Sequence, residues 1–340
     1  MKLIENIRKN TILLLLITVV VMYFVLKDDF QNVLDALLKA DLKYILLAFI
    51  SFIISVCLKG YVNYLTVNNK DKISIKEAIK HNVIVQFFNG ITPFSTGGQP
   101  MEIYMLTEHG ISGSKATMII LQNFIFYQIA LVIFGLGAVL YNAIFHIFPK
   151  VPVLRELVLI GFIINTLVAV GILLISISKK FTTGILNILI IFLDKIKIVK
   201  NKEKTIKKWE TKLEEFHECA KVLRKRKKLF ILGVIYNLLS LGFLYIIPLF
   251  ITYSMHDFTS LNVLDTLTSS AYVLLMGAFV PIPGASGGIE YGYMKFFGNF
   301  LSKTKTSATL VIWRFITYYF GMILGMIVFN MDERKKHKWE

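Results

Sequence analysis

Two short stretches hold most of the side chains whose types and spacing suit chemistry. Pro93-x-x-x-Gly97-Gly98 is followed by Gln99 and Glu102, and Pro283-x-x-x-Gly287-Gly288 by Glu290, 190 residues further on. Thr96 in the first copy matches Ser286 in the second. The segments that follow also correspond. SKATMIILQNFIFYQ, from Ser114, lies against TSATLVIWRFITYY, from Thr306, at an offset of 192 that sets Gln122 opposite Arg314. Glycines at such positions let backbone and ligand approach closely, and the free amides at a helix start favour an anion. A lone Gly-Gly after a proline is an ordinary loop turn, so the repetition carries the signal. Acid–base chemistry would have to draw on Glu102, Glu290 and His109, whose spacing forms no recognised motif. No GxxxxGK[ST] sequence is present to cradle a nucleotide phosphate.

These motifs sit in an oily chain. Of 340 residues, 55% are hydrophobic, and the mean hydropathy is +0.64. A soluble domain cannot cover that much apolar surface, and several segments reach the ~20 apolar residues that cross a bilayer. The expected fold class is therefore an all-α polytopic membrane protein forming a single membrane domain. Lys2, Arg8 and Lys9 precede an apolar run with no small-residue cleavage site after it, so the run reads as an uncleaved first span. Cys57 and Cys219 are far apart, and His81, His109, His146, His217, His256 and His337 do not cluster, so neither a disulfide nor a zinc site is expected. No cofactor is implied. The net charge of +16 fits lysine-rich cytoplasmic loops and anionic lipid headgroups better than nucleic acid.

Six segments read as full spans: about 11–27, 42–66, 115–141, 155–178, 229–253 and 306–330. The motifs fall in two regions that do not read as simple spans, 78–107 and 263–303. Each pairs an apolar stretch with a second, shorter one across a Pro/Gly break, the pattern of a re-entrant hairpin. With the N-terminus inside, 28 of the 38 Lys/Arg gather on the cytoplasmic side, 16 of them in 179–228, and both termini are cytoplasmic. Lys295, Lys303 and Lys305 fall outside in this arrangement. Within 179–228, Ile206, Trp209, Leu213, Phe216, Ala220 and Leu223 recur at helical spacing among Lys and Glu. That segment reads as an amphipathic helix on the membrane surface, near anionic headgroups.

The first hairpin follows the second span and the second follows the fifth, so they enter from opposite faces. This is the arrangement of an inverted repeat, in which broken helices meet near the midplane. Non-helical backbone survives at that depth only when buried in protein or lining a wet cavity. Arg314, inside the last span, needs a partner. A lipid phosphate and Glu290 both qualify.

FNGITPFSTGGQPMEIYMLTEHGIS, PIPGASGGIE and the arginine of WRFITYY resemble the lysylphosphatidylglycerol synthase transmembrane region family, the membrane half of the multiple peptide resistance factor. The resemblance covers nearly the whole chain. It implies a lipid translocase of the bacterial plasma membrane whose headgroup, in full-length relatives, is aminoacylated phosphatidylglycerol. Pro93, Thr96, Gly97, Gly98, Gln99, Glu102, Gln122, Pro283, Ser286, Gly287, Gly288, Glu290 and Arg314 are the expected headgroup or path residues. Those relatives carry a soluble synthase domain after the membrane part, fed by lysyl-tRNA. Here MDERKKHKWE ends the sequence soon after the last span, so no catalysis by this chain alone is expected. The family often has a basic residue near the position of Glu102. The acid here leaves open an anionic or a cationic headgroup. A lysyltransferase-type lipid-modifying protein, a membrane subunit for a separate synthase, and a homo-oligomer remain the alternatives.

Overall fold

The computed structural model describes residues 30–67, 73–177, 225–277, 280 and 282–336. Among them every regular element is helical: α1 (Phe30–Leu38), α2 (Leu42–Val67), α3 (Ile75–Gly90), α4 (Gly98–Glu108), α5 (Gly113–Phe145), α6 (Pro152–Ile177), α7 (Lys227–Tyr245), α8 (Ile247–Ser254), α9 (Val263–Gly277), α10 (Gly288–Phe297), α11 (Lys303–Arg314) and α12 (Gly321–Lys336). Two 3₁₀ turns, Pro93–Ser95 and Pro283–Ala285, separate α3 from α4 and α9 from α10. A π-helical segment, Phe315–Phe320, joins α11 to α12.

Five helical stretches among the described residues are long and apolar enough to cross a bilayer: Leu42–Val67, Gly113–Phe145, Pro152–Gly171, Lys227–Ser254 and Lys303–Asp332. They coincide with five of the six expected spans. The sixth, 11–27, lies outside the described residues, as does all but the end of 179–228. Outward faces suit lipid: Leu46, Ile50 and Ile53 on α2, and Ile231, Ile235 and Leu239 on α7, are exposed at helical spacing.

α3 and α9 are too short to span. At 16 and 15 residues they reach about 24 and 22 Å, short of the ~30 Å hydrocarbon core. Local chemistry sets their ends. Ser74 caps α3 by accepting from the Glu77 amide, while Glu77 reaches back to the Ser74 amide. Past its other end Pro93 forces Thr92 into extended backbone, at φ −116° and ψ 143°. Pro100 sits in the first turn of α4, where its missing N–H removes nothing from the helix. Pro248 likewise opens α8, so the α7–α8 rod breaks at Ile246.

α4 folds back onto α3, and α10 onto α9, so each motif region is a helix–turn–helix hairpin. The second lies deep in protein. Tyr272, Tyr293, Phe296 and Phe297 are fully buried and pack with Phe148, Trp313 and Ile316 in the largest core cluster. The first hairpin packs on α2, α5 and α12 through smaller clusters. Polar pairs tie the long helices together: Ser55 to Ser240 (2.9 Å) and Ser51 to the Phe243 carbonyl (2.6 Å) join α2 to α7, and Asn82 donates to the Val56 carbonyl (2.8 Å) to join α3 to α2. Such bonds hold helices together where the solvent offers no hydrophobic drive.

Candidate functional site

The two motif turns begin with nearly the same backbone and then diverge: Thr96 and Gly97 are right-handed helical (ψ −13° and −22°), whereas Ser286 is extended (ψ 140°) and Gly287 takes φ 90°. Thr92 and Ile282 are extended, at φ −116° and −111°, and the prolines that follow open the 3₁₀ turns. Phe94 and Gly284 then take positive φ (53° and 63°), followed by Ser95 and Ala285 (53° and 51°). Thr96 and Ser286 make the same side-chain bond. Each hydroxyl donates to the carbonyl of its proline, over 3.0 Å to Pro93 and 3.2 Å to Pro283. The two copies thus share the proline-led, positive-φ start of the turn and its hydroxyl bond but leave it differently, and the two turns touch.

Beside them lies a cavity of about 700 Å³. Phe94 and Ser95 from the first turn and Gly284 and Ala285 from the second line it, so both motifs contribute wall. The rest comes mainly from α2, α3, α5, α7, α9 and the Trp313–Tyr318 stretch, and it is rich in carboxamides. Gln86, Asn123, Gln128, Asn165 and Asn237 are among them. This much polar surface between apolar helices is what a water-filled or headgroup-filled cavity requires.

Of the expected site residues, Gln99, Glu102 and Arg314 line this cavity. Glu102 is buried and accepts a hydrogen bond from Asn63 Nδ2 (2.5 Å). Asn63 in turn accepts from Asn123 (2.7 Å), and Asn123 accepts from Thr66 (2.6 Å), so a relay of amides fixes the carboxylate. Arg314 is spoken for. Its Nε donates to Glu290 Oε1 (2.6 Å) and its Nη2 to the Gly284 carbonyl (2.9 Å), with Tyr318 stacked 5.0 Å from the guanidinium carbon. Of the two partners open from sequence, the intramolecular one is present.

The other expected residues shape the turns and stand off the cavity wall. Three of the amides at the start of α4 and α10, open to an anion on sequence grounds, are taken by the chain itself. Gly97 N donates to Thr92 Oγ1 and Gly98 N to Asn89 Oδ1, both over 2.9 Å. Gly287 N donates to Glu290 Oε2 (2.6 Å). A Cβ on Gly97 would meet Thr92 Cγ2 at 2.6 Å and the Phe88 carbonyl at 2.8 Å. The close approach that needs glycine there is therefore to the chain's own α3. Pro283, Ser286 and Glu290 are buried, Pro93 and Thr96 exposed, and Gly288 packs on Val280. Gln122 is buried off the cavity, while its neighbour Asn123 lines it.

Sequence reasoning passed over Lys59. It lines the cavity from the last third of α2, with its Nζ 4.7 Å from the centre of the Tyr127 ring. The missed signal was a single lysine deep inside an otherwise apolar span. His109 belongs elsewhere. It pairs with Glu77 over 3.5 Å and meets the His81 ring edge to face, at the end of the first hairpin away from the turn. Among the described residues no group of three or more His, Cys, Asp or Glu is placed to hold a metal ion.

No curated protein gives a significant match to the chain. The family model described as the lysylphosphatidylglycerol synthase TM region matches residues 11–325, a range that takes in both hairpins, the cavity, four of the five spans and most of the fifth. With nearly the whole chain under one family description, this multi-pass, membrane-embedded helical protein belongs to the lysylphosphatidylglycerol synthase TM region family.

Proposed function

We propose that the protein is a lipid translocase. It moves the headgroup of a phospholipid, aminoacylated phosphatidylglycerol or a related lipid, between the leaflets of a bacterial plasma membrane. The observation that carries this reading is the cavity of about 700 Å³ lined by both broken-helix turns and by carboxamides from several spans. A headgroup crossing the bilayer must exchange water for fixed polar partners while its acyl chains stay in lipid. Asn, Gln, one lysine and one carboxylate supply such partners without the cost of leaving them dry.

In this reading the chain has six spans, counting 11–27, with both termini cytoplasmic. The hairpins enter from opposite faces as an inverted repeat, and the likeness of their turns supports it. Alternating exposure then follows from rocking one half against the other where the turns touch. With no nucleotide-binding motif in the sequence, the movement is passive or driven by a gradient. The basic segment 179–228 lies against anionic lipid and offers a surface for a separate synthase.

The test is purified protein in liposomes bearing fluorescent lipids in both leaflets, with an impermeant quencher added outside. Translocation bleaches nearly all the fluorescence, where protein-free vesicles lose about half. Vesicles that stay at the protein-free level with every headgroup tried, while the headgroup is found chemically altered, would overturn the translocase in favour of a transferase.

A further inference from the structure

Among the described residues Lys59 is the cavity-lining cation without an ion pair. It stands eight residues before the end of α2, about 12 Å along the helix, inside a span where a charged side chain is costly and commonly functional. The other charged groups on the wall have partners that leave it out. Arg314 is neutralised by Glu290 (2.5 Å), and Glu102 is held by a hydrogen bond from the neutral Asn63 amide. Among the described residues no carboxylate forms an ion pair with Lys59. Its contact is the face of Tyr127, which steadies an ammonium without cancelling its charge. Asn63, one helical turn further along α2, lines the same cavity.

We propose that Lys59 is the anion-binding residue of the cavity, and that its ligand is a phosphate group presented by a phospholipid headgroup. Arg314, the arginine that the motif singles out, instead stabilises the second turn. The Tyr127 face holds the Lys59 ammonium at the wall, and neighbouring carboxamides donate to the remaining phosphate oxygens. Neutral and hydroxylated parts of a headgroup meet the other amides. The choice of a lipid as the source of the phosphate rests on the translocase reading; the anion site itself does not.

Titration calorimetry of the full chain in detergent separates the two. Dioctanoyl phosphatidylglycerol binds the wild type, and Lys59→Gln weakens it by at least about tenfold, as expected for removing one member of a desolvated charge pair. Lys59→Arg retains most of the affinity. Lys43→Gln, on the same helix but away from the cavity, changes nothing. Dioctanoylglycerol, which lacks the phosphate, shows no dependence on Lys59. Lys59→Met, which keeps the length of the stem, replaces Lys59→Gln if the latter melts earlier than the wild type. Phospholipid affinity unchanged in a folded Lys59→Gln or Lys59→Met protein overturns the proposal. If inorganic phosphate binds through Lys59 and the lipid does not, the anion site stands and its ligand is free phosphate. If the lipid binds through Lys59 but does not cross in liposomes, the site stands and the translocase reading falls.

Discussion

Arg314 Nε lies 2.6 Å from Glu290 Oε1, while Glu290 Oε2 accepts from the Gly287 amide over 2.6 Å. One carboxylate thus joins the last span to the start of α10, and Arg314 Nη2 reaches the Gly284 carbonyl across the turn. The pair is 3% exposed on both side chains. At that burial its role is decided by what happens when one partner is lost, because the survivor is left as a bare charge in low dielectric.

Glu290→Gln or Arg314→Gln alone is therefore expected to destabilise the protein by about 3–5 kcal/mol, with much of that recovered in the double substitution. Thermal melts of the four proteins in detergent form the double-mutant cycle. Additive single losses would show that the pair does not act as a unit.

Gly284 combines φ 63° with a Tyr318 ring 2.3 Å from where its Cβ would stand. Gly284→Ala should lower stability by more than the ~1–2 kcal/mol of left-handed backbone alone, since the Tyr318 ring must also move. Tyr318 donates to the Gly90 carbonyl (2.7 Å), a bond between the halves of the chain. Tyr318→Phe should loosen the contact between the turns, read as faster amide exchange at Gly90 and Ile91. Unchanged exchange would remove Tyr318 from that role.

The opposite entry of the hairpins is open to a labelling test. In a background lacking Cys57 and Cys219, a cysteine at Glu108, after the first hairpin, should react with an impermeant maleimide only in permeabilised cells. A cysteine at Asn299, after the second, should react in intact cells. Labelling of both from one side would end the inverted reading.

Outside the membrane segments, Asp257 is tied to Lys305 (2.5 Å) and to Ser260 Oγ (2.9 Å). Burial opposes ionisation of its carboxyl, but the bonds from Lys305 and Ser260 outweigh it and hold the pKa below the usual aspartate value. A depressed folded pKa stabilises above the unfolded value of about 3.9, and the benefit is lost as pH falls through the folded value. The melting temperature should accordingly drop in that acid window, with Asp257→Asn lower at neutral pH and its fall through the window shallower. Parallel acid profiles for the two proteins would exclude Asp257 as a source.

Much of the fold was legible because its signals are local. The runs 42–66, 115–141, 155–178, 229–253 and 306–330 announced helices by apolar length alone, and the Pro/Gly breaks marked where α3 and α9 stop. The common start of the two turns was legible as a repeated motif, because a proline and a hydroxyl act on their own backbone within a few residues; the glycine pairs, equal in sequence, take different backbone angles.

Which side chains face the cavity was not legible, because that depends on how six helical stretches pack. Gln122 and Asn123 are adjacent and equally polar, yet only Asn123 lines the cavity, a difference of about 100° around α5. Lys59 drew no reading from the sequence, because its place on the cavity wall under Tyr127 is set by the packing of α5 against α2. Arg314 was equally compatible with a phosphate or with Glu290 until packing set the two side chains in contact. The sequence by itself determined the helices, their breaks and the repeated turn, since these rest on backbone sterics and apolar length. Tertiary structure decided which charges form ion pairs and which side chains line the cavity, because Coulomb and hydrogen-bond partners are chosen by distances that only packing sets.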